Sequence, residues 1–253
     1  MSQLTSVDRI AYLDTAAATP IGRDYKRRAV DALDLRPGHT VVDVGCGPGT
    51  DLGRLADVVR ADGLVVGVDR DPMMLAEAGR RAADRPGIDL RLGDAHALPL
   101  DDTSVDRARI DRVLMHVQDP AAVLAEVRRV LRPTGVLVAT EPDWDTLAVA
   151  DEDVATSRRF VRFVAGRVRH PTIGRELVRL STRAGLRVRS VEAIAVVFED
   201  FDTADRILGL RRNSARAVAA GEMADREVRP WLRRLTDGPL LASVTLYLVT
   251  AEA

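Results

Sequence analysis

The stretch that most constrains the fold is VVDVGCGPGT, residues 41–50. Its valines are β-branched and favour a buried, pleated strand, interrupted by a single acid, Asp43. Gly45, Gly47 and Gly49 then occupy every second position. Without Cβ atoms there, the chain can turn sharply and let a ligand lie against the main chain. From 51 to 60, Leu52, Leu55, Ala56 and Val59 recur at helical spacing. A strand passing through such a turn into a helix aims the helix's free amides, and its partial positive charge, at whatever occupies the crevice. This unit is at home in an open, doubly wound α/β sheet.

The sequence downstream repeats the pattern. Residues 64–68 (LVVGV) form a second apolar strand ending on Asp69, 20 residues beyond Gly49. A carboxylate at that place can accept hydrogen bonds from both hydroxyls of a ribose. Thr50 stands where a dinucleotide-binding turn has its third glycine, so the turn is not G-x-G-x-x-G. A third strand, 88–92, leads into Gly93-Asp94-Ala95, where Asp94 is also suited to capping its own turn.

D-x-G-x-G-x-G, an acid ending strand two, and G-D-A after strand three resemble the class I S-adenosylmethionine (SAM) methyltransferases. The likeness continues through Leu114-Met115-His116-Val117, Asp119-Pro120 and the run Leu131-Arg132-Pro133-Thr134-Gly135. It covers roughly residues 37–145 and is nearest the small-molecule group that includes the quinone-ring C-methyltransferases. The resemblance implies a doubly wound, seven-stranded, mostly parallel Rossmann-like sheet with an antiparallel last strand and helical lid elements. It also implies SAM as cofactor, leaving as S-adenosylhomocysteine. Asp43, Gly45, Cys46, Gly47 and Gly49 would form the cofactor turn, and Asp69 would hold the ribose. Arg70 and Met73 would flank the adenine, a polarizable methionine being suited to a flat ring. Asp94 and the Ala95 amide would read the adenine edge. Asp111 and Arg112 would lie at the methionine end.

For the acceptor, the resemblance points to His116 as a base or orienting group. Glu141 would receive a proton, orient a hydroxyl or brace the cofactor loop. Tyr12, Tyr25 and Trp144 are expected to line the acceptor pocket, and Arg28 to reach toward the cofactor carboxylate. Helices are expected over 6–17 and 22–35. Strand four, 105–110, is unusually polar, so its register stays open. Strand five is expected over 136–140, with Glu141 to Trp144 just past its end. Helices over 151–169 and 174–184 come before strand six at 186–199, and a last strand lies at 240–250. The intervening residues have helical periodicity at 204–220 and 223–235, where a plain methyltransferase has a short hairpin. We therefore expect one domain over 1–253, with helices 1–36 and the insertion 203–236 as a substrate lid.

Composition narrows the partners. Basic and acidic residues number 37 and 38, for a net charge of −1, so no general field draws in nucleic acid or an anionic membrane. Cys46 is the single cysteine, so no intrachain disulfide forms. The N-terminus lacks the pattern of a signal peptide and no stretch approaches the ~18 apolar residues of a span, which reads as cytoplasmic. No metal-ligand set stands out, and the oligomeric state is not legible. The expected function is methyl transfer from SAM to a small, largely apolar metabolite, on oxygen or carbon. A SAM-binding protein with a non-methylating role is one alternative. A nicotinamide oxidoreductase is another, opposed by Thr50 and by the lack of Tyr-x-x-x-Lys, Lys26 being the one lysine.

Overall fold

A computed structural model describes residues 6–253; the first five residues of the expected N-terminal lid lie outside it. The chain runs α1 (Ser6–Ala18), α2 (Pro20–Ala32), β1 (Thr40–Val44), α3 (Leu52–Val59), β2 (Leu64–Asp69), α4 (Pro72–Ala82) and β3 (Ile88–Leu92). It continues with β4 (Val105–Asp111), α5 (Pro120–Val130), β5 (Leu131–Val149), α6 (Val154–Ala165), α7 (Ile173–Arg183) and β6 (Arg187–Phe198). The last elements are α8 (Phe201–Leu208), α9 (Leu210–Ala219), α10 (Asp225–Asp237) and β7 (Ala242–Glu252).

The strands form one seven-stranded sheet in the order β3-β2-β1-β4-β5-β7-β6. β1 to β5 pair in parallel, and β7 runs antiparallel between β5 and β6. Strand order reverses between β1 and β4, and the crevice at the carboxyl ends of these two strands is where an open α/β sheet takes a ligand. The central strands are buried on both faces, as parallel sheets require. Aspartates start the flanking helices: Asp71 accepts from the Met73 amide (2.9 Å) and Asp119 from the Ala121 amide (2.9 Å), each followed by proline.

Three expectations change. β5 runs through Val149 because β7 pairs with it well past Thr140, with an irregularity between Asp143 and Ala148. Glu141 to Trp144 are thus strand residues. β4 ends at Asp111, so Pro142 sits where β5 has no partner on that side, and a missing N–H is tolerated there. The expected 204–220 helix is two helices, broken where Gly209 takes a left-handed conformation (φ 66°).

Most of the insertion also builds a second core instead of a roof. Trp231 of α10 is fully buried against Phe160 of α6, ring centroids 5.0 Å apart, within a cluster that includes Leu210, Ala217 and Leu235. Only α8 turns toward the crevice side, touching α1 and β6.

Candidate active site

The glycine turn is pinned to the sheet by its own amides. Gly45 and Cys46 both donate to the Val68 carbonyl, at 2.7 and 3.0 Å. Gly45 is left-handed (φ +70°), and a Cβ there would lie 2.5 Å from the Val113 side chain. Gly47 is also left-handed (φ +55°), but a Cβ on it would meet only Leu13 of α1, at 3.5 Å. The turn's outer face is therefore kept clear of side chains from the sheet. Asp69 joins the turn to α4: one oxygen accepts from the Gly47 amide (2.8 Å), the other from the Asp71 amide (2.9 Å). Cys46 is buried, and burial with the nearby Asp43 and Asp69 charges pushes its thiol far above the usual range, so it is no nucleophile.

Around the turn lie two apolar side chains with unusual exposure, Met73 (56%) and Leu92 (63%). Leu92 sits in register beside Asp69. Arg70 is exposed and Ala95 half-buried. Asp94 is exposed and does cap its turn. Its Oδ1 accepts from the His96 amide (2.9 Å) and lies 2.5 Å from His96 Nδ1. His96 Nε2 accepts from the Asp119 amide (3.1 Å), so the imidazole ties this turn to the start of α5. Neither Leu92 nor His96 was singled out by the sequence. α1 covers the turn and is fastened to α4 by Arg9–Asp71 (2.5 Å) and Arg81–Asp14 (2.8 Å) ion pairs.

Behind the turn is a buried charge network. Arg109 of β4 is 3% exposed and donates to Asp43 (2.9 Å), Asp51 (2.8 Å) and Asp111 (2.7 Å). Lys26 of α2 reaches the same Asp111 oxygen (2.8 Å) and also pairs with Asp51. Burial opposes ionisation of Asp111, yet Lys26, Arg109 and Arg112 hold its carboxyl well below the usual range. Its other oxygen, Oδ1, is buried and has no hydrogen-bond partner. Asp43, expected at the cofactor, instead faces Arg109 and braces the turn from behind. The open register of β4 is settled by this pairing, Asp43 lying opposite Arg109. Arg28 is taken up by Glu192 of β6 and does not serve the crevice.

A second space opens beyond β4, a largely apolar cavity. Tyr12 of α1, Tyr25 of α2, Trp144 of β5, Phe198 of β6, Ile207 of α8 and Leu246 of β7 contribute walls, and Arg112 also lines it. The sequence missed Phe198 and Ile207, since no local pattern separates a pocket wall from ordinary core. Glu141 is fully buried, and its carboxyl accepts from the Val113 (2.7 Å), Leu114 (2.6 Å) and Met115 (3.4 Å) amides. Burial pushes its pKa up to about 8, although those amides pull the other way. Both oxygens thus hold the loop after β4 and none is turned to the cavity. Asp143 is likewise engaged, by Arg175 (2.8 Å). His116 is exposed on one side; crowding on the other, with Arg112 and Arg70 nearby, lowers its imidazole below the ordinary value.

A family model described as a methyltransferase domain matches residues 35–185, more than half of the chain. The chain belongs to the SAM-dependent methyltransferases. Its cofactor is accordingly S-adenosylmethionine, and the quinone-ring group is represented among its relatives. This methyltransferase is 50% identical over 247 residues to an uncharacterized 37.1 kDa protein in transposon TN4556 of Streptomyces fradiae, covering 97% of this chain and 72% of that one. It is 32% identical to the demethylmenaquinone methyltransferase of Staphylococcus aureus, over 57% of this chain and 60% of that enzyme, so the match spans well short of the enzyme's length. A SAM-dependent methyltransferase from Mesorhizobium loti shares the fold, with a TM-score of 0.57 at 23% identity, covering 90% of this chain and 96% of that one. Among the described residues, no helix is long and apolar enough to cross a membrane.

Proposed function

We propose that this methyltransferase moves a methyl group from SAM to a small, largely apolar metabolite, on oxygen or carbon. The observation that carries the reading is the apolar cavity, which adjoins the β4 end of the crevice and shares Arg112 with it. The residues present fit the cofactor. Asp69, already aimed at the turn, would hold the ribose, with Gly45, Cys46, Gly47 and Gly49 as the backbone cradle. Met73 and Leu92 offer apolar surface to the adenine, beside Arg70, Asp94 and Ala95. The buried, unpartnered Oδ1 of Asp111 is an acceptor suited to the cationic amino group.

Bound SAM supplies a methyl group on a sulfonium, an already activated leaving group. The protein is left with positioning and with excluding water. Glu141 fixes the 113–115 loop and so acts as a positioning residue. His116, its imidazole shifted toward the neutral form, would take a proton from an acceptor hydroxyl. Tyr12, Tyr25 and Trp144 form the flat walls, and α1, α2 and α8 act as the lid. The remaining insertion supports that lid through its own core. Similarity to a demethylmenaquinone methyltransferase favours an aromatic or quinoid ring as the acceptor's body. The balanced charge favours a metabolite over nucleic acid. The test is incubation with methyl-labelled SAM and a panel of ring-bearing phenols, quinols and acids, read by mass spectrometry. Labelled product from a ring acceptor supports the reading; methylation confined to nucleic acid or protein added to the same assay contradicts it.

A further inference from the structure

We propose that the acceptor carries an anionic oxygen, and that Arg112 and the indole N–H of Trp144 receive it inside the apolar cavity. The inference rests on the cavity being the acceptor site. Arg112 is left-handed (φ +57°), a backbone state that a long side chain seldom keeps without compensation. Its side chain is 15% exposed, and its Nε stands 3.7 Å from Asp111 Oδ1, too far for a hydrogen bond. Nε is buried without a partner, and the guanidinium lies over the Tyr12 ring, 5.8 Å from its centroid. The neighbouring cations are committed elsewhere, Lys26 and Arg109 sharing Asp51 and Asp111.

The two tryptophans make the same point. Trp231, in the second core, donates to Ser157 Oγ at 2.9 Å. Trp144 Nε1 is buried with no acceptor. Two other polar groups of the cavity are already satisfied: the Thr19 hydroxyl donates to the Ala16 carbonyl (2.8 Å) and accepts from the Gly22 amide (3.0 Å), and the Tyr25 hydroxyl donates to Asp111 (3.4 Å). Tyr12 aside, the rest of the lining is apolar, including Ile21, Met115, Val244 and Leu246. A pure hydrocarbon would leave two buried donors unmet, and an ammonium would meet a guanidinium. An oxygen anion, either a carboxylate or an ionised ring hydroxyl, satisfies both donors.

Calorimetry on the full chain with S-adenosylhomocysteine present tests this, using naphthoate, naphthol and the neutral naphthalenemethanol as probes. Naphthoate should bind about tenfold or more tighter than naphthalenemethanol, the scale of a charge-assisted bond. Arg112→Met should abolish that preference, Arg112→Lys should keep part of it, and Trp144→Phe should reduce it several-fold. Naphthol affinity that climbs with pH toward its ionisation identifies the ring hydroxyl as the source; a carboxylate preference independent of pH identifies the acid. Equal affinities for naphthoate and naphthalenemethanol, failure of both included, or a preference that survives Arg112→Met, would overturn the inference. So would an Arg112→Met protein that loses S-adenosylhomocysteine while keeping the acid preference, since the arginine would then serve the cofactor. Those results leave methyl transfer standing, whereas a wild-type chain that binds no S-adenosylhomocysteine would remove the reading beneath it.

Discussion

The two sides of the crevice are built on opposite principles. On the β1–β3 side, the surface is made of backbone amides and carboxylates, and nearly every charge has a partner: Arg109 alone serves three aspartates. On the side of β5, β6 and β7, the walls are side chains from elements far apart in sequence, and two donors, on Arg112 and Trp144, are left open. A cofactor that never changes suits a surface made of main chain, which mutation alters least. Walls made of replaceable side chains suit the acceptor side of the proposed function.

The largest effect should come from breaking the network behind the turn. Arg109→Met leaves Asp43, Asp51 and Asp111 buried, with Lys26 still bonded to two of them and Arg112 3.7 Å from Asp111. We expect a loss of about 3–5 kcal/mol in urea unfolding, the scale for removing one partner of a buried ion pair. An unchanged midpoint would mean that the network is not worth what its geometry implies.

Next comes Asp69→Ala, which removes the acceptors of the Gly47 and Asp71 amides as well as the carboxylate proposed for the ribose. Calorimetry should show S-adenosylhomocysteine binding weakened by about 1.5–3 kcal/mol for each ribose bond lost. Naphthoate binding in the cavity should change little, and a parallel loss would dissolve the contrast between the two sides.

Glu141 gives a subtler test. Its folded pKa of about 8 lies above the ordinary 4.5, so the folded state holds the proton more tightly than the unfolded one. The associated stability is complete below about pH 4.5 and is lost as pH rises through about 8, with a slope of at most about 1.4 kcal/mol per pH unit. Glu141→Gln keeps the acceptor for the Val113 and Leu114 amides but cannot titrate. The variant should therefore gain on the wild type as pH is raised across that window, then run parallel above it. Chemical denaturation at several pH values reads this directly, and two parallel curves throughout would refute it.

The smallest effect belongs to Ile207→Ala in α8. It should lower acceptor affinity by a few-fold, with S-adenosylhomocysteine affinity unchanged in the same titrations. Equal loss of both ligands would show that α8 belongs to the cofactor side too.

The contrast also explains what the sequence made legible. Asp69 and the three glycines stood out because one short segment carries the whole device, strand, turn and helix. The β4 strand looked irregular for a physical reason that only the pairing reveals: Arg109 is buried because Asp43 lies across from it. Lys26, the one lysine, was a visible oddity whose partners, Asp51 and Asp111, lie 25 and 85 residues away. The late half misled most. Helical periodicity in the insertion was real, but an apolar face does not say whether it covers a ligand or another helix, and Trp231 packs on Phe160. Gly209 marked the break between α8 and α9 in plain sight.

The division of labour is tested most directly by a crystal structure of the chain with S-adenosylhomocysteine bound. The account predicts the ribose on the Asp69 carboxylate, the adenine against Met73 and Leu92, and the amino group at Asp111, with the cavity beside Trp144 and Phe198 left to the acceptor. Density for the adenosine in that apolar cavity, with nothing against the glycine turn, would contradict it.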